Sequence, residues 1–213
     1  MGGFFLLNII QYLRAMRNFL FLLASCLLCG SSMAQESKIT HRLLVHPSSS
    51  VTINGKTNVN KYDCKTGEYK ESDTLLLNAE IGKGAHFKKG LARLEASGFQ
   101  CNMDVITKDF AETIQADKYP YITIDFISFE SEPKYQETEE KFKGDLKITL
   151  GNVAVRREVR CSIVKDDKDL IHLRGRHNFK FSDFNLKPPT KMMGLIKVEE
   201  KITVTFHLVL SRL

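Results

Sequence analysis

The chain has 213 residues, with 31 basic and 25 acidic side chains giving a formal charge of +6, five cysteines and no tryptophan. The two signs of charge are interspersed, as in Glu137-Thr138-Glu139-Glu140-Lys141-Phe142-Lys143, and no cationic stripe carries interleaved aromatics, which argues against nucleic-acid binding. The slight excess of lysine suits solubility or a weak attraction to an anionic membrane surface.

The N-terminal segment reads as an export signal. Arg14 and Arg17 precede the apolar run Phe19-Leu20-Phe21-Leu22-Leu23-Ala24, and Ser32-Met33-Ala34 supplies small residues before a cut at Gln35. Met16 offers an alternative start, which would make residues 1–15 an over-extended reading of the gene. Neither apolar run reaches the roughly 20 residues of a membrane span. Two fates compete: cleavage after Ala34 to a soluble periplasmic or secreted protein, or acylation of Cys26 within the lipobox-like Leu23-Ala24-Ser25-Cys26, which would tether a lipoprotein. Leu27-Leu28-Cys29 is too apolar for the linker that usually follows such a lipid, so soluble export is favoured. Residues 1–34 are thus set aside, and residues 35–213 are expected to form one domain, of ordinary size for a single core.

Within that domain, period-2 alternation predicts strands. Val51-Thr52-Ile53 is a short candidate; Leu75, Leu77, Ala79 and Ile81 mark one face of a second. The segment from Asp104 to Ala116, with Val105, Phe110 and Ile114 near helical spacing and Tyr119-Pro120 beyond it, predicts the one helix. Ile122, Ile124 and Phe126 mark the next strand, then Leu146, Ile148 and Leu150, with a turn at Gly151-Asn152. Val155, Val159, Cys161 and Ile163 share one face of the following strand; Leu170–Leu173 is a shorter candidate, and the even positions from Ile202 to Leu210 form the last apolar face. One apolar and one polar face per strand indicates antiparallel sheet. Some eight or nine such strands either stack as a sandwich or close as a barrel, whose interior is filled by side chains or holds one small ligand. Small residues at its centre (Ala79, Ala92, Ala96, Gly175) would leave it hollow, whereas convergence of Phe126, Phe179, Phe181 and Phe206 would plug it.

Five segments, in order, carry a resemblance. Ser50-Val51-Thr52-Ile53-Asn54-Gly55-Lys56-Thr57, the stretch from Asn102 to Phe110 with Ala116-Asp117-Lys118-Tyr119-Pro120, the strand Ile122–Phe126, the hairpin Lys143–Val153, and Ser182-Asp183-Phe184-Asn185-Leu186 followed by Pro188-Pro189 together resemble the YceI-like family over about residues 48–210. The family's His near the first hairpin is replaced by Asn58-Val59-Asn60, and the His of the run before the helix is absent, which marks a divergent branch. The resemblance implies an all-β fold, a single antiparallel lipocalin-like β-barrel of about eight strands with one short helix. It also implies a non-catalytic, exported carrier for a lipid such as a polyisoprenoid or a quinone tail. The expected lining is Ile53, Leu77, Leu94, Ile122, Ile124, Phe126, Leu146, Ile148, Val204, Phe206 and Leu208, with Lys56, Asn58, Asn102 and Lys191 as rim candidates; Met192-Met193-Gly194-Leu195-Ile196 reads as a loop packed over the barrel end, with a flexible portal as the alternative. Barrels of this kind also admit a homodimer, although no residue points to one. The rival expectation is an envelope protein, structural or stress-related, with a filled barrel and a protein partner.

No catalytic or metal motif emerges. His41, His46, His86, His172, His177 and His207 lack metal-ligand spacing and read as solvated, with His172 and His177 on opposite faces of a strand. Ser48-Ser49-Ser50 lacks a nucleophile elbow, and Asp166-Asp167-Lys168-Asp169 reads as a charged hairpin turn rather than a calcium loop. Cys64, Cys101 and Cys161 allow one disulfide in an oxidising compartment, and their spacing leaves the pairing open.

Overall fold

The computed structural model describes residues 38–80 and 83–213. The export signal expected over residues 1–34, with Met16 and Cys26, and Ile81 of the second predicted strand lie outside the described residues. In chain order the elements are β1 (Lys38–Val45), β2 (Ser50–Lys56), β3 (Lys61–Thr66), β4 (Thr74–Glu80), β5 (Lys83–Lys89), β6 (Leu91–Glu95), β7 (Phe99–Cys101), α1 (Asp104–Thr113), β8 (Tyr121–Phe129), β9 (Glu140–Leu150), β10 (Val153–Lys165), β11 (Ile171–Lys180), β12 (Thr190–Lys191), β13 (Ile196–Lys197) and β14 (Lys201–Arg212).

The alternation read from the sequence produces the sheet because each strand buries one face. Eight strands close a ring in the order β1-β4-β5-β8-β9-β10-β11-β14, and β14 returns to β1 through the pairs Leu43–Arg212 and Val45–Leu210. Every pairing in the ring is antiparallel. The predicted antiparallel barrel of about eight strands with one short helix is therefore the fold observed, and the sandwich alternative is excluded.

Three walls of the ring are long strands broken into pieces. β1 and β2 run end to end along β14, with Val45 opposite Leu210 and Ser50 opposite His207. β3 and β4 follow them on the other side, and β5, β6 and β7 share the next position, pairing with β4, β8 and β3 respectively. Side chains take over where the backbone ladder is interrupted. Buried Ser49 accepts from Val209 N–H at 3.0 Å and donates to Val209 C=O at 3.2 Å, so a polar group within the wall keeps its partners. At the neighbouring break, Tyr69 donates to Asp73 at 2.7 Å, and the N–H of Arg93 reaches both residues.

Several element boundaries differ from the sequence expectation, β9 beginning at Glu140 and β8 running on to Phe129 among them. The helix stops at Thr113, with Ile114 as its cap, rather than at Ala116, and Val105 is exposed: the inward stripe is Ile106, Phe110 and Ile114. The short strand expected at Leu170–Leu173 runs on to Lys180. Gly175 and His177 occupy inward positions of that strand and interrupt its apolar alternation.

Candidate functional site

The barrel interior is divided along its axis. In one half the inward side chains close-pack. Leu75, Leu77, Leu173, Leu208 and Leu210 are 0–1% exposed. Phe126 makes a T-shaped contact with Phe206 at 5.5 Å between ring centroids, and Phe129 packs on Phe142 at 4.7 Å and on Phe87 at 4.9 Å. Such edge-to-face aromatic clusters fill space with favourable quadrupole geometry. In the other half, inward Ile148, Leu150, Ile202 and Val204 stay only partly buried because they border empty space.

That space is an inner cavity of about 80 Å³ floored by Phe206, Leu146 and Ile124. Two close approaches shape its walls. A Cβ at Gly175 would fall 2.1 Å from the Phe206 ring, and one at Gly55 would fall 2.3 Å from the Tyr62 ring, so both aromatics lie on bare backbone of the opposing strand. Tyr62 and His177 are the polar-capped side chains in an otherwise apolar lining. Burial raises the pKa of Tyr62; burial, with help from the Arg157 charge, lowers that of His177. Both groups are thereby held uncharged near neutrality, and the cavity presents no ionised side chain to a ligand.

Above it lies a wider mouth cavity of about 460 Å³, and Tyr62, Phe110 and Phe181 line both spaces and so form the partition. Three segments build the mouth: α1, the β2–β3 turn and the β12–β13 hairpin. Thr107 docks the helix by accepting from Cys101 N–H at 2.9 Å. The β3–β7 pair that carries it is cross-linked by a disulfide between Cys64 and Cys101, which face one another in register. Lys191 of β12 pairs with Asp109 of α1 at 2.6 Å. Asn58 of the turn donates to Leu195 C=O at 2.8 Å and accepts from Lys197 N–H at 2.9 Å, which ties the turn to the hairpin.

Of the eleven lining residues expected from sequence, Ile53, Leu94, Ile122, Ile124, Leu146, Ile148, Val204 and Phe206 border the inner cavity. Leu77, Phe126 and Leu208 lie instead in the filled half, because their strands run past the cavity floor. Among the rim candidates Lys191 lines the mouth, Asn58 holds its hairpin, and Lys56 and Asn102 are exposed without lining either space. The segment named as a portal forms the hairpin, with Met192 and Ile196 at the mouth. Ala79, Ala92 and Ala96 are buried but do not border the cavity, so its width does not come from them.

Sequence reasoning missed Phe99, Phe110, Phe179 and Phe184 as lining residues, and His177 as an inward group. The helix pattern had Phe110 on the apolar face, and Ile106 rather than Val105 completes that stripe with Ile114. The histidines are not uniformly solvated. His41 faces Tyr135 in a T-shaped contact at 5.0 Å, and His172 bridges Asp166 at 3.0 Å and His207 at 2.9 Å on the outer wall.

Fold and cavity together define a closed antiparallel barrel with an apolar pocket opening at one end. No family model matches the chain, and no curated protein does. Among solved structures, a polyisoprenoid binding domain from Saccharophagus degradans implicated in plant cell wall breakdown superposes with a TM-score of 0.55 at 9% identity, over 81% of this chain and 98% of that one. BcnA of Burkholderia cenocepacia gives a TM-score of 0.50 at 17% identity, over 76% and 95%. A Campylobacter jejuni YCEI protein gives 0.49 at 18% identity, over 74% and 84%. The first two share this barrel fold.

Proposed function

We propose that this protein is a divergent member of the YceI-like family that is exported and holds an isoprenoid or similar lipid without transforming it. The observation that carries the reading is the apolar inner cavity leading into a wider mouth, on a fold shared with a polyisoprenoid binding domain. Each methylene-sized unit moved from water into such a lining gains about 0.8 kcal/mol. The lining offers no charge that would have to be stripped of water on binding. A tail would enter between Tyr62, Phe110 and Phe181 and end on Phe206, while the polar end remains in the mouth near Lys191, Asp109 and Thr113. The leader read at residues 1–34 supports export to the periplasm or beyond.

The test is organic extraction of the purified protein followed by lipid mass spectrometry. A stoichiometric apolar molecule is expected. An empty extract, unchanged after incubation with polyprenols and quinones, would sink the carrier reading and favour the filled-barrel interaction protein.

A further inference from the structure

We infer that the mouth of the barrel is a membrane-docking surface that seats on a bilayer containing anionic lipids. Ten large apolar side chains are exposed among the described residues, and six of them stand at this one end: Val59, Met103, Val105, Met192, Met193 and Leu195. They come from three separate segments, the β2–β3 turn, the start of α1 and the β12–β13 hairpin, so no single loop explains the clustering. Val59, Val105, Met192 and Leu195 are 60–71% exposed and Met193 is fully exposed. Clustered apolar exposure of this kind marks an interaction site, whereas scattered exposure does not.

The hairpin tip is built to project. Met192 and Met193 have φ of 51° and 52°, and Gly194 has φ of 90°, a tight left-handed turn that lifts the Met193 side chain off the protein. The tips form a rim around an open cavity and not a flat face. A second protein seated on such a rim would leave the cavity beneath it unfilled, while a bilayer offers apolar depth to the tips and lipid to the opening.

Charge agrees with that occupant. Lys56, Lys61 and Lys197 are exposed around the rim and have no carboxylate partner among the described residues. Asp109 and Glu112 are engaged by Lys191 and Lys108, and Glu200 accepts from Ser182 N–H; Asp63, Asp104 and Glu199 are further acids at this end. Lysines beside apolar tips reach headgroup phosphates while their neighbours enter the acyl boundary. The inference rests on the lipid-binding reading for its purpose, but its observations are separate.

The experiment sediments the purified protein with vesicles of phosphatidylethanolamine and phosphatidylglycerol in a 7:3 ratio, and in parallel measures binding of a polyprenol delivered in detergent. Wild type should co-sediment. Met193→Asp with Leu195→Asp should lower vesicle affinity at least tenfold, and Lys56→Glu with Lys197→Glu about threefold with weaker salt dependence. Leu213→Asp, at an apolar residue 65% exposed elsewhere, should change nothing. All these positions are exposed, and circular dichroism verifies folding of each variant. Detergent-delivered binding should survive in every variant. No sedimentation of wild type, or variants that sediment like it, would overturn the docking surface while leaving lipid binding intact. Sedimentation without polyprenol binding would keep the docking surface and overturn the carrier reading. Conversion of a wild-type dimer to monomer by the Met193 and Leu195 changes would assign the rim to a second copy and overturn the proposal.

Discussion

The Phe206 ring packs against the bare backbone of Gly175, its partner across β11 and β14, so that any Cβ at position 175 would meet the ring at 2.1 Å. The pair sets the cavity floor: the ring reaches this position only because residue 175 has no side chain, and Phe126 holds it from the filled half at 5.5 Å. Gly175→Ala should therefore cost about 1–3 kcal/mol, as overpacking does in a close-packed region. A double change, Gly175→Ala with Phe206→Leu, should recover part of the loss. Denaturant midpoints of the single and double variants measure both, and an unchanged midpoint for Gly175→Ala would contradict the contact.

The hollow half should tolerate added volume that the filled half would not. Val204→Phe or Ile148→Phe places a ring in empty space, and is expected to weaken polyprenol binding at least tenfold while shifting stability by less than about 1 kcal/mol. Leu208→Ala, below the floor, is expected to do the reverse: a loss of about 2–5 kcal/mol with binding preserved. Ligand titration beside thermal melts separates the two responses.

The Cys64–Cys101 bridge closes a loop of sequence separation 37 and staples β3 to β7 beneath the mouth. On the chain-entropy estimate its reduction should cost about 3–4 kcal/mol. Cys161 is buried, and its thiol is pushed up to about 12 by that burial, so it should resist alkylation in the folded protein and react only after unfolding. Mass spectrometry after alkylation, with and without reductant and denaturant, reads both outcomes.

Acid should destabilise the fold well above the carboxylate range. His207 is held down to about 4 by burial and then by the charges of Arg174, His172 and Lys65, against 6.5 when free. The unfolded chain thus binds a proton that the folded chain refuses, and stability falls as pH drops from about 6.5 towards 4. Burial lowers His41 and His177 too, adding the same sign. Asp166 is depressed chiefly by its hydrogen bond to His172, and the stability it contributes is lost only below its ordinary value of 3.8. Melting temperature against pH should decline through that upper window, and His207→Gln should flatten the decline. A flat wild-type profile between pH 6.5 and 4 would refute the assignment.

The sequence made the long strands legible and the short ones obscure. β8, β9 and β14 alternate cleanly because nearly every inward position is an aliphatic or a phenylalanine. In β11 the inward positions include Gly175 and His177, whose reasons for being there are the Phe206 ring and the cavity wall, neither visible locally. β3 carries one tyrosine and one cysteine inward between charged residues, too short a pattern to register. The division into filled and hollow halves was also hidden, since Leu208 and Val204 occupy equivalent slots of one strand and differ only in what lies opposite. The disulfide followed from the register of β3 against β7, which spacing does not encode.

The ring has a consequence in time. Its closing pair joins residues 43–45 to residues 210–212, so nearly the whole domain must be in place before the last ladder can form. Such distant partners meet slowly, because chain entropy is lost before any contact compensates for it. Until β14 arrives, β1 and β11 each present an open edge that another chain could occupy. Folding of this barrel is therefore expected on the millisecond-to-second scale of non-local β proteins, with the final strand as the guard against misassembly.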